Sequence, residues 1–216
     1  MVWIMNKEIE KKFTCDKDKV MAFFQNLKSK KIDVDMKFIN QVYMYKKNAS
    51  VVWNTKSMSW DVRLYNEDTQ FSLRAKKDEV DLINSLVNKY PDNLVLSKDI
   101  SVRLRKSKLK NNESVEFTIK FPSDNKYMQY EFEYSIEKYD FLDYFFEHQK
   151  TSIKKTRYMF DWNYKIVELD IFINSPHIVL EVEFDSIEEM EKYSFDGLPI
   201  LDETNLSNKT IAFSNI

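Results

Sequence analysis

The chain has 216 residues, of which 43% are hydrophobic, enough to bury the core of one domain. Its 33 basic and 35 acidic residues leave a formal net charge of only −2, which excludes a broad basic surface for nucleic acid. The single cysteine, Cys15, excludes an intrachain disulfide and a cysteine cluster for zinc. The single glycine, Gly197, excludes a glycine-rich phosphate loop, so any phosphate must be bound by side chains.

The composition also predicts a cytoplasmic location. The apolar run at residues 1–5 is too short for a signal peptide, and no run approaches the roughly 20 apolar residues that span a bilayer. A lone cysteine fits a reducing compartment. We therefore expect a cytoplasmic protein with no membrane partner.

The first predicted strand, residues 7–13, sets a pattern that returns along the chain. Its charged side chains Glu8, Glu10 and Lys12 alternate with apolar ones, so the two kinds lie on opposite faces. Such alternation is common on the wet face of an antiparallel sheet, and this strand alone does not indicate a function.

Helices and further strands follow in order. After the first strand, Asp16 or Asp18 can cap a helix. Residues 37–45 are predicted to be extended. No catalytic group is evident in residues 46–99. That last segment contains two predicted strands, 59–64 and 70–74, and an amphipathic helix at 80–87. Later helices are predicted at 139–148, 187–193 and 205–213, the last of which would close one end of the fold.

The charged alternation returns in six more strands, most of which carry two charges of one sign at positions i and i+2. Three strands supply bases and three supply acids, in addition to the acids of the first strand. The basic strands carry Arg103/Arg105, Thr118/Lys120 and Lys155/Arg157, and the acidic strands carry Glu131/Glu133, Glu168/Asp170 and Glu181/Glu183.

Antiparallel strands of this kind can close into a barrel, with the charged faces pointing either outward or inward. Outward charges would make an ordinary barrel with an apolar interior. Sorting by sign favours an inward, charged tunnel, because a stabilising surface would mix Glu with Lys across neighbouring strands. Enclosed charges then need partners, which indicates a divalent metal against the acids and a polyanion against the bases.

The chemistry of the side chains narrows both partners. Carboxylates without histidine or cysteine are typical of Mg²⁺ or Mn²⁺ sites rather than zinc sites. Arginine binds phosphate oxygens through two parallel hydrogen bonds, and lysine adds a compact positive charge.

These motifs, in this order, resemble the CYTH, or triphosphate tunnel metalloenzyme, superfamily. Residues 8–12 are similar to its ExExK signature, and residues 41–44 to its Gln-Gly-Tyr-Leu element, with Val in place of Gly. Residues 207–208 resemble its closing Tyr-Ser-Asn element, without the preceding Gly-Asp-x-Arg. The resemblance covers residues 7–45 and 101–213 and is strongest to short bacterial inorganic tripolyphosphatases.

The resemblance implies an α+β, mostly β, fold: an eight-stranded antiparallel β-barrel tunnel with flanking helices. Residues 1–216 would form one such domain, with an insertion at about 46–99, as a monomer or homodimer. The implied activity is divalent-metal-dependent hydrolysis of a linear triphosphate, with inorganic tripolyphosphate as the expected substrate and orthophosphate as a product.

The resemblance also assigns roles to residues. Glu10, Glu133 and Lys12 are the expected catalytic groups. The expected substrate-binding residues are Lys12, Arg103, Arg105, Lys120, Lys155, Arg157 and Lys209. The expected ligands of Mg²⁺ or Mn²⁺ are Glu8, Glu10, Glu131, Glu133, Asp170, Glu181 and Glu183.

Three other functions fit the same tunnel. A class IV adenylate cyclase would use the 3′-hydroxyl of ATP as the nucleophile, but no base pocket is identifiable in the sequence. An RNA 5′-triphosphatase would act on triphosphate-ended RNA, the one form of nucleic acid expected here. A non-catalytic polyphosphate-binding module would bind without turnover.

Overall fold

The computed structural model describes residues 6–65, 69–90, 96–137, 142–173 and 175–214. In chain order its elements are β1 (Lys7–Cys15), α1 (Lys17–Ser29), β2 (Asp35–Tyr43), β3 (Ala49–Asn54), β4 (Ser59–Leu64), β5 (Thr69–Arg74), α2 (Val80–Val87), β6 (Ser101–Leu109), β7 (Asn112–Pro122), β8 (Met128–Ser135), α3 (Asp143–His148), β9 (Ser152–Trp162), β10 (Lys165–Phe172), β11 (Ile178–Phe184), α4 (Ile187–Lys192), β12 (Ile200–Glu203) and α5 (Asn208–Phe213).

Eight of the strands close into an antiparallel barrel, in the order β1, β11, β10, β9, β2, β6, β7, β8 and back to β1. The short strand β12 pairs with the far end of β1, beyond its contact with β8. The predicted eight-stranded antiparallel barrel is therefore confirmed. Closure leaves no free edge along most of the sheet.

The apolar face of β1 points outward and is covered by α1. Asp16 caps this helix by accepting hydrogen bonds from the backbone N–H groups of Asp18 and Lys19, at 2.9 and 3.0 Å. Of the two predicted caps, Asp16 is therefore the one used. The buried side chains Val20 and Phe23 join the apolar outer faces of β1, β9, β10 and β11 in one core.

Residues 46–99 carry a second, three-stranded sheet, in the order β3, β4, β5, and the helix α2. We call this segment the inserted unit. Its apolar residues share a core with the outer faces of β6, β7 and β8. Trp53 and Trp60 lie at its centre with ring centroids 4.9 Å apart, and the Trp60 indole N–H donates to the Tyr134 hydroxyl at 3.2 Å. The predicted strands β4 and β5 and the predicted helix are confirmed, whereas β3 and β12 were not predicted.

The helix α5 closes one end of the barrel, as predicted. Its buried residues Ile211 and Ala212 pack against Tyr43, Ile153 and Phe172, which point inward from β2, β9 and β10. The Ser207 hydroxyl caps the helix by accepting from the Thr210 N–H at 3.0 Å.

The remaining predicted helices are also confirmed where they can be checked. The predicted helix at 187–193 is α4, and the one at 139–148 is α3 from Asp143 onward, since residues 138–141 lie outside the described residues. Among the described helices, none combines the length and apolar character needed to cross a membrane.

Candidate functional site

The inward faces of the barrel strands enclose a continuous cavity of about 780 Å³. Its walls are mainly charged, so the alternating charges point inward, as the sorting by sign predicts. The predicted site residues that line it are Glu8, Glu10, Lys12, Arg103, Arg105, Lys120, Glu131, Glu133, Arg157, Glu181, Glu183 and Lys209.

The barrel order arranges these charges into two walls. The neighbouring strands β8, β1, β11 and β10 carry the paired acids and form an acidic wall. The other four neighbours, β9, β2, β6 and β7, carry the bases and form a basic wall. Lys12 on β1 and Glu116 on β7 are the exceptions, and each pairs with opposite charges on its own side of the barrel.

The two walls meet where β7 lies beside β8 and where β9 lies beside β10. At the first of these seams, Lys120 on β7 pairs with Glu8 and lies 3.2 Å from a carboxylate oxygen of Glu131. Burial alone would raise the pKa of Glu8, but the Lys120 ammonium outweighs it and lowers that pKa to about 2. Burial raises the pKa of Glu131, and Arg103 Nη2 lies 3.6 Å from the Glu131 carboxylate.

The centre of the acidic wall is less well neutralised. Lys12 lies 2.9 Å from Glu10 and 3.1 Å from Glu181, but Glu183 directly faces Glu10 in the register of β1 and β11. Burial raises the pKa of Glu10, and Lys12 offsets it only in part. Burial and the neighbouring carboxylates raise the pKa of Glu183 to about 7. The pKa values of these two acids are therefore raised, in contrast to that of Glu8.

A deeper cluster behind this wall is fully paired. Arg157 donates to Asp170 through Nε at 2.8 Å and Nη2 at 2.7 Å, and also to Glu181 at 2.9 Å. Lys155 pairs with Asp170 and donates to the Asn208 side-chain oxygen at 3.1 Å. Lys155 and Asp170 are 1% and 0% exposed and do not line the cavity. Their predicted contacts with substrate and metal stay predictions.

Glu133 lies at a different part of the cavity from the Glu10–Lys12 pair. Its carboxylate accepts from Arg105 Nη2 at 2.6 Å, while Arg105 Nε donates to Glu116 at 2.9 Å. The predicted catalytic acids Glu10 and Glu133 are therefore held by different cations.

Several lining residues were missed by the sequence analysis. Gln129 continues the alternation of β8 by one inward position, and Lys37 begins the predicted extended segment 37–45, in which no charged pair marked the inward face. Lys76, Glu79 and Lys98 come from the inserted unit, and only tertiary contacts bring them to the cavity.

The acidic wall has donors that fit a hard divalent cation. Its predicted ligands all offer carboxylate oxygens, the ligand type that Mg²⁺ and Mn²⁺ prefer. Glu10 and Glu183 face each other in the register of β1 and β11, and the pKa values of both are raised. A bound cation would reduce the repulsion between the two carboxylates. Within the described ranges, no three acidic, histidine or cysteine side chains are grouped as a cation site, and Lys12 and Lys120 pair with Glu10 and Glu8.

No protein-family model matches the sequence, and no curated protein matches it significantly. Solved structures are similar to it. The eight-stranded antiparallel barrel is the architecture that the sequence resemblance implies. An inorganic triphosphatase is 17% identical, with a TM-score of 0.45, and the match covers 95% of this chain and 93% of that one.

Two further structures are similar over most of their length. A Pyrococcus horikoshii protein is 16% identical, with a TM-score of 0.48 and coverage of 86% of this chain and 84% of that one. A Hippeastrum protein, described as an adenylyl cyclase candidate with a dominant triphosphatase activity, is 11% identical, with a TM-score of 0.44 and coverage of 85% and 82%. At these scores the likeness assigns no activity to this chain.

Proposed function

We propose that this protein hydrolyses linear triphosphates with the help of a divalent metal ion, and that inorganic tripolyphosphate is its substrate. The observation that carries the proposal is a basic wall facing an acidic wall across one cavity of the barrel. A polyanion and a metal cation together match this division of charge, which neither would match alone.

Arg103 supports the choice of a phosphate ligand. It lines the cavity, is only 7% exposed, and its buried Nε has no hydrogen-bond partner among the described residues. An unsatisfied buried donor costs about 1–3 kcal/mol, which a phosphate oxygen near this guanidinium would recover. Lys12, Arg105, Lys120 and Arg157 would hold the rest of the phosphate chain.

The metal would be held on the acidic wall by Glu8, Glu10 and Glu183, with Glu131 and Glu181 as neighbours. When bound, it would neutralise phosphate charge and lower the pKa of an attacking water. Lys12, which Glu10 shares with Glu181, would keep Glu181 as its partner when Glu10 holds the metal.

The chain's own residues would then carry the reaction. A water oxygen attacks the terminal phosphorus, the bridging P–O bond breaks, and diphosphate leaves with its electron pair. Glu10 accepts the proton of the water, because it lies opposite Glu183 at the proposed metal site, whereas Glu133 is held by Arg105 elsewhere in the cavity. Arg103 and Lys120 offset the charge that develops on the phosphate oxygens.

The test is a phosphate-release panel with Mg²⁺ and Mn²⁺ in turn. Tripolyphosphate, ATP, thiamine triphosphate and triphosphate-ended RNA would be compared, and ATP products would be analysed for cyclic AMP. Release of orthophosphate from tripolyphosphate is expected. Cyclic AMP would identify a cyclase, preference for RNA ends would identify an RNA triphosphatase, and tight binding without turnover would identify a binding module.

A further inference from the structure

We infer that the inserted unit supplies a second anion-binding subsite, which makes linear polyphosphates longer than three phosphates better ligands than tripolyphosphate. The inference rests on the proposed function and names a substrate class for the same cavity. It depends on how the cavity continues beyond the barrel walls.

The cavity reaches past the barrel into a region built by other elements. Lys76 and Glu79 precede α2, Lys98 precedes β6, and Lys209 lies on α5, and all of them line the same cavity as the two walls. A volume of about 780 Å³ lies in the range that holds drug-sized ligands. Three phosphates on the barrel walls would therefore leave this region for a further part of the ligand.

The lysines of this region are available to a ligand. Lys98 is exposed, and Lys76, with 63% of its side chain exposed, lies 3.4 Å from Glu79. Lys76 is the exposed partner of this pair, so water screens its attraction to Glu79, and Lys76 can turn to a ligand anion while the other donors to Glu79 remain.

The carboxylate of Glu79 is occupied by other donors and is 2% exposed. It accepts from the Tyr134 hydroxyl at 3.0 Å, the Lys76 N–H at 3.1 Å and the Asn6 side chain at 3.3 Å. These bonds tie the loop that carries Lys76 to the outer side of β8 and to the start of β1. The Glu79 carboxylate that pairs with Lys76 is thus fixed at the cavity wall, where it positions the loop.

The loop that carries Lys98 is fixed as well. The Lys209 ammonium donates to the backbone oxygens of Lys98 at 2.8 Å and Ile100 at 2.7 Å. Ile100 is buried in the core shared with the inserted unit. Both cationic loops are therefore held in place before a ligand arrives, which reduces the entropy lost on binding.

The lining favours a charged extension over a nucleoside. Two aromatic residues, Tyr43 and Phe184, appear in the described lining, and Tyr43 is 2% exposed with its hydroxyl bonded to Gln41. Stacking of a base needs an accessible ring face. A further phosphate needs only cations, and Lys76 and Lys98 provide them.

The test compares chain lengths in the double variant Lys76→Gln/Lys98→Gln. Binding of tripolyphosphate, linear tetraphosphate and longer linear polyphosphate would be measured by calorimetry, and phosphate release from each would be measured in Mn²⁺. The wild type should bind the longer chains about tenfold more tightly than tripolyphosphate, equivalent to about 1.4 kcal/mol. The double variant should lose that advantage and keep its affinity and turnover for tripolyphosphate.

The matched control is Lys77→Gln/Lys89→Gln, which removes two exposed charges from the same unit outside the cavity lining. It should retain the preference for longer chains. Equal affinity for all lengths in the wild type, an equal loss for all lengths in the double variant, or the same loss in the control would overturn the subsite. A wild type that releases no phosphate from tripolyphosphate would defeat the proposed function alone, since the binding comparison would still decide the subsite.

Discussion

The barrel contains two groups of inward carboxylates that arise from the same alternating pattern but end in different electrostatic states. Asp170 is fully buried and receives two hydrogen bonds from Arg157 and one from Lys155. Burial alone would raise the pKa of Asp170, but these cations lower it. Glu10 and Glu183 face each other across β1 and β11, and their pKa values are raised.

The difference follows from the cations within reach. Arg157 donates two hydrogen bonds from its guanidinium group to Asp170. Burial and the nearby Arg157 lower the pKa of Lys155 to about 8, so Lys155 is mostly protonated at neutral pH. Glu10 shares the single ammonium of Lys12 with Glu181. The first group is a completed structural network, whereas the second has negative charge to spare for a metal ion or a proton.

The largest expected effect is the loss of catalysis when Glu10, in the second group, is changed. Glu10→Gln should lower phosphate release at least about 100-fold, because the variant removes the proposed proton acceptor and one metal ligand. Tripolyphosphate binding should persist, since the basic wall is unchanged. Turnover and calorimetric affinity would be measured on the same preparation.

Glu188→Gln is the control, because Glu188 lies on the exposed surface of α4 and pairs only with Lys192 among the contacts described there. It should leave turnover unchanged. Normal turnover by Glu10→Gln would remove Glu10 from the mechanism.

The next largest effect is the loss of stability when the Asp170 network is broken. Asp170→Asn should destabilise the fold by roughly 3–5 kcal/mol, the range for breaking a buried ion pair by removing one partner. Glu183→Gln, the matching change in the other group, should cause no such loss. Urea unfolding of both variants at neutral pH would compare them, and equal losses would show that the two groups do not differ.

The comparison also shows how far the sequence predicts this site. Period-2 alternation fixes which face a side chain occupies, so the inward direction of Glu8, Arg103 and Glu181 could be predicted. It does not fix depth along the barrel. Lys155 and Asp170 lie behind the cavity because α5 closes that end with Ile211.

The inserted unit was predictable only in part. Its strands β4 and β5 and its helix could be recognised from local patterns, but its position depends on contacts between distant residues. Trp60 bonds to Tyr134, and Lys209 bonds to the backbone at Lys98. No local pattern reports such contacts, so Lys76 and Lys98 were missed as cavity residues.

A smaller effect is expected from metal addition, which should stabilise the fold through Glu10 and Glu183. A Mn²⁺ concentration 100 times its dissociation constant should stabilise the wild type by about 2.7 kcal/mol, provided that the unfolded chain does not bind it. Glu183→Gln should reduce the gain because it removes one proposed ligand, whereas Glu188→Gln should keep it. Thermal unfolding with and without chelator would measure both, and an unchanged gain in Glu183→Gln would place the metal elsewhere.

The smallest effect is the pH dependence of Glu183 in the absence of metal. The pKa of this carboxyl rises from 4.5 to about 7 on folding, so the folded state binds more protons than the unfolded state between these values. Stability therefore falls as the pH rises from about 5 to about 8, since the derivative of the unfolding free energy follows the difference in bound protons. Glu183 opens onto the cavity, and solvent there reduces the effect.

Glu183→Gln mimics the protonated acid and should remove this part of the pH dependence. The variant should equal the wild type near pH 5 and exceed it near pH 8, as measured by urea unfolding in chelator across that range. Saturating Mn²⁺ should reverse the order at pH 8, because a metal ion favours the carboxylate that the proton otherwise masks. Parallel pH curves for the two proteins would show that Glu183 is already neutralised, and the acidic wall would then resemble the paired network of Asp170 after all.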